Sequence, residues 1–321
     1  MNRNFKTSSM TEAALISGIL VIFAYISTFL FTFLMFFYPL PAIILAKRKG
    51  LKYSVLSLTA SGFIISMLLG IQTGLIFLLL FTPMSIALSY GICKDENPNK
   101  CIMMGALSFM VSFAAMILLS QSIMGVNYIQ QMLQLTNESM DMYRSLLEKA
   151  SGSMNPDSLN QITKQLDLMN KAMTEIILHR FPAILIISSV VMSAMNYFAV
   201  SSIAQRVRVD IRKHEGISFF SLPNTFIIAM AGLLLLSYLL NAFKINVYVI
   251  QMNLLMVCLM AMFLQGFAVA KFYLTRLNIN KIARTLILMM LLFMAGAGQL
   301  LAVVGIIDLV FDLRKIKHKV L

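Results

Sequence analysis

The chain has 321 residues, of which 59% are hydrophobic and only 12% charged, and its formal net charge is +13. Soluble domains carry about 25% charged residues, so this composition excludes an ordinary water-soluble fold. The apolar residues fall into runs of roughly 17 to 25, the length at which a helix crosses about 30 Å of hydrocarbon. We therefore predict an all-α, polytopic transmembrane helix bundle of about 8–10 spans, with the lipid bilayer as its surroundings.

The apolar runs give the expected order of spans along the chain. They cover residues 11–46, 54–70, 73–92, 101–125, 181–204, 222–243, 247–270 and 282–313. A single helix over 11–46 would be about 54 Å long, so we expect two helices that turn near Ser27 and Thr28. Gly296–Gly298 similarly predicts a tight turn within the last run. The expected total is ten spans, with eight as the alternative.

The lysines and arginines lie mainly in short loops beside the apolar runs, and this indicates an orientation. Basic residues near the ends of spans favour the cytoplasm. If both end runs fold back, the clusters at residues 47–52, 206–213 and 314–319 all fall on one side. We predict a multi-pass protein of the cell membrane with both termini cytoplasmic and residues 126–180 extracytoplasmic.

Residues 126–180 are the one long polar insertion between runs, and they predict a helical hairpin. The apolar stripes are Ile129, Leu133, Thr136, Met140, Tyr143 and Leu147, then Leu159, Ile162, Leu166, Met169, Met173 and Ile176. Their spacing of three and four places each set on one helix face. Ser151–Met154 predicts the turn, and Asn155–Pro156–Asp157 predicts the start of the second helix.

This reading divides the chain into four parts. Residues 1–125 hold the first five transmembrane helices and residues 126–180 the external hairpin. Residues 181–204 form the sixth transmembrane helix, and residues 205–321 hold the additional C-terminal transmembrane helices.

Short motifs in order along the chain resemble one family of membrane proteins. They are Thr11–Ile19, Pro39–Leu45 and Lys47–Gly50 near the start, then Leu222–Pro223 after a Phe pair and Gly305–Lys315 near the end. Together they resemble the YybS-like family of uncharacterised bacterial integral membrane proteins. That family is distantly similar to the S components of energy-coupling-factor transporters, which bind a small solute and work with coupling and ATPase subunits.

The resemblance to S components implies a partner contact on the first helix. S components meet their coupling subunit through two small residues four apart, and Ala14 and Gly18 have that spacing. Small residues let any two helices approach closely, so an intramolecular contact is the alternative. On this reading residues 181–204 complete an S-component-like bundle that begins at residue 11.

The same resemblance implies ligand-binding candidates. Regions equivalent to Gln72, Thr73, Asn196 and Tyr197 line the S-component pocket, so these four residues are the candidates for contacting a small-molecule ligand. An amide in hydrocarbon needs hydrogen-bond partners, and the alternative is that each one joins two helices. The other amides placed in spans are Gln251, Asn253, Gln265 and Gln299.

Charged residues near the end of the last run form a further candidate group. Asp308 and Asp312 are four residues apart on one helix face, close in sequence to Arg314 and Lys315. We expect either a cytoplasmic salt bridge or a partner contact at Asp308, Asp312 and Arg314. Acidic residues are otherwise missing from the middle of the runs, which disfavours classical ion coupling.

Signals for chemistry are missing from the sequence. The three histidines lie beside basic residues without a hydrolase or metalloprotease pattern, so we predict no enzyme, no catalytic residue and no cofactor. Cys93, Cys101 and Cys258 lack metal-ligand spacing, so no metal site is expected. Because the basic residues lie in short loops beside spans, we expect no nucleic-acid partner.

Two functions remain. The first is a transport-related small-solute-binding subunit that depends on coupling or ATPase subunits for energy. The alternative is a membrane scaffold that docks partners on the external hairpin and the basic cytoplasmic loops.

Overall fold

The computed structural model describes residues 3–125, 127–150, 156–212, 214, 216–277, 279–294 and 296–316. All regular structure in these ranges is helical. Seven of the helices are long and apolar enough to cross a membrane. The prediction of an all-α, polytopic transmembrane bundle is therefore confirmed.

Several residues of the sequence predictions lie outside the described ranges. They are the hairpin turn at Ser151–Met154, the cap residue Asn155, and the basic residues Lys213, Lys317 and Lys319.

The helices divide between two compact units. Unit 1 comprises residues 1–174 and 185–214, and unit 2 comprises residues 175–184 and 215–321. Up to residue 175 the helices are α1 Arg3–Phe29, α2 Leu40–Lys49, α3 Leu51–Leu69, α4 Ile71–Leu75, α5 Thr82–Cys93, α6 Pro98–Met124, α7 Tyr128–Ala150 and α8 Pro156–Glu175. They are followed by α9 Phe181–Arg206, α10 Asn224–Ala242, α11 Tyr248–Arg276, α12 Lys281–Phe293 and α13 Ala297–Phe311.

The number of spans differs from the ten that we predicted. The first run breaks after Phe29, continues as a 3-10 helix at Thr32–Phe37, and ends in α2. α2 has 10 residues and rises only about 15 Å, half of the hydrocarbon thickness. α12 and α13 bend by 105° relative to each other and make one span if they are counted together. Helix length therefore supports seven spans, or eight with the bent pair, which was the alternative count.

Proline explains two short π-helices. Ile76–Phe81 lies just before Pro83, and Ile176–Arg180 just before Pro182. Proline has no N–H and its ring clashes with the carbonyl one turn earlier, so the helix widens in front of it. The widened turn joins α8 to α9, and one helix runs over Ser158–Arg206. The boundary that we expected between hairpin and sixth span thus lies inside a continuous helix.

Aromatic side chains form the centre of unit 1. The buried Tyr38 ring lies 4.7 Å from the Phe77 ring centroid and 6.1 Å from that of Phe81. Phe81 in turn lies 6.2 Å from Phe109. The Tyr38 hydroxyl is 2.8 Å from the Ser61 hydroxyl, so the one polar atom of this ring is paired within the bundle, as buried tyrosine requires.

The hairpin helices α7 and α8 lie antiparallel within unit 1. Arg144 donates to Asp167 at 2.6 Å, and Asn170 donates to Asn137 at 3.4 Å. Met140 is buried as the first stripe predicts. Tyr143, Met169 and Met173 are exposed. On α8 the predicted residues 159, 162, 166 and 176 are half-buried, whereas Asn170 and Thr174 are half-buried in place of Met169 and Met173.

Two glycines let α11 and α13 pack backbone against backbone in unit 2. A Cβ added to Gly305 would overlap the Met262 carbonyl oxygen, and one added to Gly266 would overlap the Leu301 carbonyl oxygen. Without a hydrophobic driving force between helices in lipid, such close approach is a main source of association. The contact holds α13, which carries Asp308, against α11, which carries Gln265.

We predict that Gly305→Ala destabilises unit 2 by about 1–3 kcal/mol, because the new methyl group must displace backbone atoms. Gly232→Ala is the matched control, since a Cβ at Gly232 of α10 would have no atom within 4 Å. Thermal unfolding in detergent should show a lower Tm for the first variant only. Equal melting of both variants would show that the close approach does not contribute to stability.

Candidate functional site

Four buried serines of unit 1 have hydroxyls without a hydrogen-bond partner among the described residues. They are Ser17 on α1, which is 5% exposed, and the fully buried Ser54 on α3 and Ser85 and Ser89 on α5. Ser57, equally buried on α3, differs because its hydroxyl donates to the Ser54 carbonyl at 2.9 Å. Hydrocarbon supplies no alternative partner, so an unpaired hydroxyl is costly there.

From the register of the chain we infer that Ser54, Ser85 and Ser89 lie at a similar depth in the bundle. Glycine contacts set the register of the chain on either side of α4: a Cβ on Gly62 would overlap Leu78, and one on Gly74 would overlap Ser66. These pairs show that the chain after Gly70 runs antiparallel to α3. If this antiparallel pairing continues toward the N-terminal end of α3, Ser54 lies beside the turn of α5 that carries Ser85 and Ser89. We call Ser54, Ser85 and Ser89 the serine cluster.

Asn196 and Tyr197, two of the sequence candidates, are buried in unit 1 on α9. The Asn196 amide nitrogen donates to the carbonyls of Phe36 at 2.9 Å and Met192 at 3.0 Å. Its Oδ1 has no partner among the described residues. The Tyr197 hydroxyl donates to the Arg212 carbonyl at 2.6 Å. Both side chains therefore join parts of the bundle, and Asn196 retains a free acceptor.

Gln72 and Thr73, the other two ligand candidates, lie on α4. Gln72 is exposed and Thr73 half-buried. Gln72 lines a small cleft together with Met116, Ser120 and Tyr128. The cleft holds about 70 Å³, whereas pockets for small molecules usually hold about 300 Å³ or more. Asn196 and Tyr197 are not among its lining residues, so the cleft does not gather the four candidates into one site.

Ala14 and Gly18 lie on the exposed side of α1. A Cβ on Gly18 would have no atom within 4 Å. The buried side of α1 instead carries Ala13, Leu20 and Ala24. Within the described residues, the intramolecular alternative for the small pair is therefore not formed.

A buried ion pair links four segments of unit 2. The Asp308 and Arg314 side chains are 2% and 1% exposed, and Arg314 Nη2 lies 2.8 Å from Asp308 Oδ2. Gln265 of α11 donates to the same carboxylate oxygen at 2.7 Å and accepts from the Leu222 N–H at 3.0 Å. Arg314 also donates to the Ser218 carbonyl at 2.7 Å. Of our two alternatives for Asp308, the structure contains the salt bridge.

Asp312 has a different part in this arrangement. It ends α13 with a left-handed backbone at φ 44° and accepts from the Ile316 N–H at 3.1 Å. Lys315 also has a left-handed φ, of 51°. Such conformations cost non-glycine residues about 1–2 kcal/mol each. The left-handed turn at Asp312 lies between the two partners and brings Arg314 back to Asp308.

The remaining intramembrane amides differ from one another. Asn253 of α11 donates to the His179 carbonyl at 2.6 Å and accepts from the Ala183 N–H at 2.7 Å. It thus satisfies backbone groups on both sides of Pro182. Gln251 is buried with an unpaired Nε2 among the described residues, and Gln299 is exposed.

Sequence reasoning did not single out the serine cluster or the Ser218 contact. Ser54, Ser57 and Ser61 recur at three and four residues, and Ser85 and Ser89 are four apart. These spacings place each set on one helix face and were the available signal. The sequence does not show which hydroxyls bond to their own helix and which do not.

The spans and the buried polar groups define an α-helical multi-pass membrane protein. Residues 14–309 match the family described as "Predicted membrane protein (DUF2232)", and the chain belongs to that family. It is also 23% identical over 237 residues to the "Uncharacterized protein YybS" of Bacillus subtilis strain 168, covering 73% of this chain and 74% of that protein. The YybS-like resemblance predicted from the sequence motifs is thus confirmed. No solved structure matches the chain.

We predict that Asp308→Ala lowers the free energy of unfolding by about 3–5 kcal/mol, because it leaves Arg314 buried and uncompensated. Asp308→Leu combined with Arg314→Met should recover most of that loss, since an apolar pair needs no partner. Asp141→Ala is the control: its ion pair with Arg144 is exposed and should contribute about 0–1 kcal/mol. Chemical unfolding in detergent checks this, and an equal loss in the single and double variants would contradict it.

Proposed function

We propose that the chain is a transport-related membrane subunit that binds a small polar solute in unit 1. The observation that carries the proposal is the serine cluster, whose three buried hydroxyls have no protein partner within the described residues. Each unpaired polar group in an apolar interior costs about 1–3 kcal/mol. A solute with hydroxyl, amide or carboxylate groups would remove that cost.

The surroundings of the cluster fit a site that a ligand completes. α5, which carries Ser85 and Ser89, follows directly on the π-helix Ile76–Phe81, and π-helical turns are frequent at functional sites. Thr82 caps that turn by donating to the Phe77 carbonyl at 3.4 Å. Asn196 adds a free acceptor on α9. The candidates Gln72, Thr73 and Tyr197 then belong to the outer cleft and to the packing around the bundle.

The energy for transport would come from partner subunits. Our sequence reading found no nucleotide-binding motif, and the resemblance to S components implies coupling and ATPase subunits. The exposed small pair Ala14 and Gly18 offers a helix face that another transmembrane helix would approach closely. Asp308, Asp312 and Arg314 serve the internal packing of unit 2 in this proposal.

Native mass spectrometry of the full chain, purified in mild detergent, tests the proposal. The wild type should retain a small molecule, and Ser85→Ala with Ser89→Ala should weaken retention about 30-fold, at roughly 1 kcal/mol for each lost hydrogen bond. Ser57→Ala is the matched control, because its hydroxyl is already satisfied by the Ser54 carbonyl. The proposal fails if the wild type retains no small molecule and no coupling or ATPase subunit co-purifies.

A membrane scaffold is the second candidate, and one observation favours it. The α7–α8 hairpin exposes apolar side chains on its outer surface, including Leu135, Met142, Leu146 and Leu168. Exposed apolar residues grouped on one surface of a polar element often mark contacts with other proteins. In this alternative the hairpin and the basic loops are docking surfaces.

Deletion of residues 127–178 distinguishes the solute-binding proposal from the scaffold alternative. The scaffold alternative predicts that the cellular function is lost while the spans remain folded. The solute-binding proposal predicts that the purified deletion variant still retains the small molecule. Complementation of a strain lacking the gene, together with native mass spectrometry of the same variant, gives both measurements.

A further inference from the structure

Four cations gather where α11 ends and α12 begins. Lys271 and Arg276 lie in the last two turns of α11, and Lys281 and Arg284 lie in the first turn of α12. We call these four residues the basic turn. All four belong to unit 2.

The basic turn lacks the anionic partners that other cations of the chain have. Lys47 pairs with Asp95, and Arg48 and Lys49 pair with Glu12. Within the ranges that the structure describes, no carboxylate lies within ion-pair distance of the four cations of the basic turn. Arg276 instead stacks over the Phe272 ring, 4.4 Å from its centroid.

Lys271 and Arg284 are half-buried. They lie on either side of the short turn that joins α11 to α12, and their like charges repel. Like charges near each other are unfavourable unless an anion lies between them, and burial increases the effect because screening is weaker there. The arrangement is therefore more favourable with an anionic group bound.

An apolar surface lies directly beside the basic turn. α12 has 13 residues and no buried residue, and it is about 20 Å long, too short to cross the bilayer alone. Lys281, Ile282, Thr285, Leu286 and Met289 line a shallow groove of about 330 Å³ along it. Lys281 of the basic turn is itself one of the lining residues, so the groove begins at a cation.

We propose that the basic turn binds an anionic phospholipid, with its phosphate between Lys271 and Arg284 and an acyl chain along the α12 groove. Basic pockets beside membrane helices bind lipid phosphates through this combination of charge and apolar surface. A soluble phosphate shares the headgroup chemistry, but it has no part that fills the apolar groove.

The test measures binding of phosphatidylglycerol to the full chain in detergent, with phosphatidylcholine and glycerol 3-phosphate as comparison ligands. Phosphatidylglycerol should bind tightest, and Lys271→Gln with Arg284→Gln should weaken it roughly 30-fold, at about 1 kcal/mol for each charge removed. Lys164→Gln with Lys171→Gln removes the same charge from exposed positions on α8 and should leave binding unchanged. Lys271→Arg with Arg284→Lys keeps both charges and should retain most of the affinity.

Four results would overturn the proposal. The first is that the wild type and the Lys271→Gln/Arg284→Gln variant bind phosphatidylglycerol equally. The second is that phosphatidylcholine binds as tightly as phosphatidylglycerol. Equal affinity for glycerol 3-phosphate would identify a soluble phosphate site in place of a lipid site. Loss of binding in the charge-conserving variant as well would show that the substitutions act through folding.

Discussion

Hydrocarbon offers no hydrogen-bond partner, and this constraint governs every polar group that the chain buries. A polar atom buried in a transmembrane helix bundle forms a hydrogen bond either with the protein or with a bound molecule. If it forms neither, its burial costs free energy. At the Asp308–Arg314 pair, unit 2 meets most of the constraint with its own atoms, although Asp308 Oδ1 and Gln251 Nε2 have no partner among the described residues. The carboxylate of Asp308 takes hydrogen bonds from Arg314 and Gln265, and the remaining groups of those two side chains reach the backbone at Ser218 and Leu222.

Unit 1 meets the same constraint incompletely. Its aromatic centre is closed, since the Tyr38 hydroxyl is paired with Ser61. The hydroxyls of the serine cluster, in contrast, have no partner among the described residues. Unpaired buried polar atoms thus occur in both units. In the proposal made above, the serine cluster of unit 1 is the group that a solute would complete.

Much of the fold could be predicted from the sequence, because hydropathy reports how favourably a segment transfers from water into the hydrocarbon of the bilayer. Apolar run length predicted the long helices well, but it did not show where a run breaks. The break after Phe29 and the bend between α12 and α13 depend on local backbone geometry, so ten spans were expected where seven or eight have sufficient length. The sequence also did not show that the helix continues through Pro182, because the side chain that satisfies the backbone on either side of it is Asn253, 71 positions later.

The candidate site was harder to predict than the fold. Asn196 and Gln72 were chosen as amides in apolar runs, yet one is mainly a link to the Phe36 carbonyl and the other lines a small outer cleft. Amides stand out in a sequence, whereas serines in spans do not, because most of them bond to their own helix as Ser57 does. Which hydroxyls remain unpaired is decided by the register between α3 and α5, a tertiary property.

A cryo-electron microscopy map of the protein in lipid nanodiscs, at a resolution that shows bound solutes and ordered water, tests the central claim most directly. The account predicts non-protein density within hydrogen-bond distance of the Ser85 and Ser89 hydroxyls. Serine hydroxyls turned onto carbonyls of their own helix, in a closed interior without such density, would contradict it.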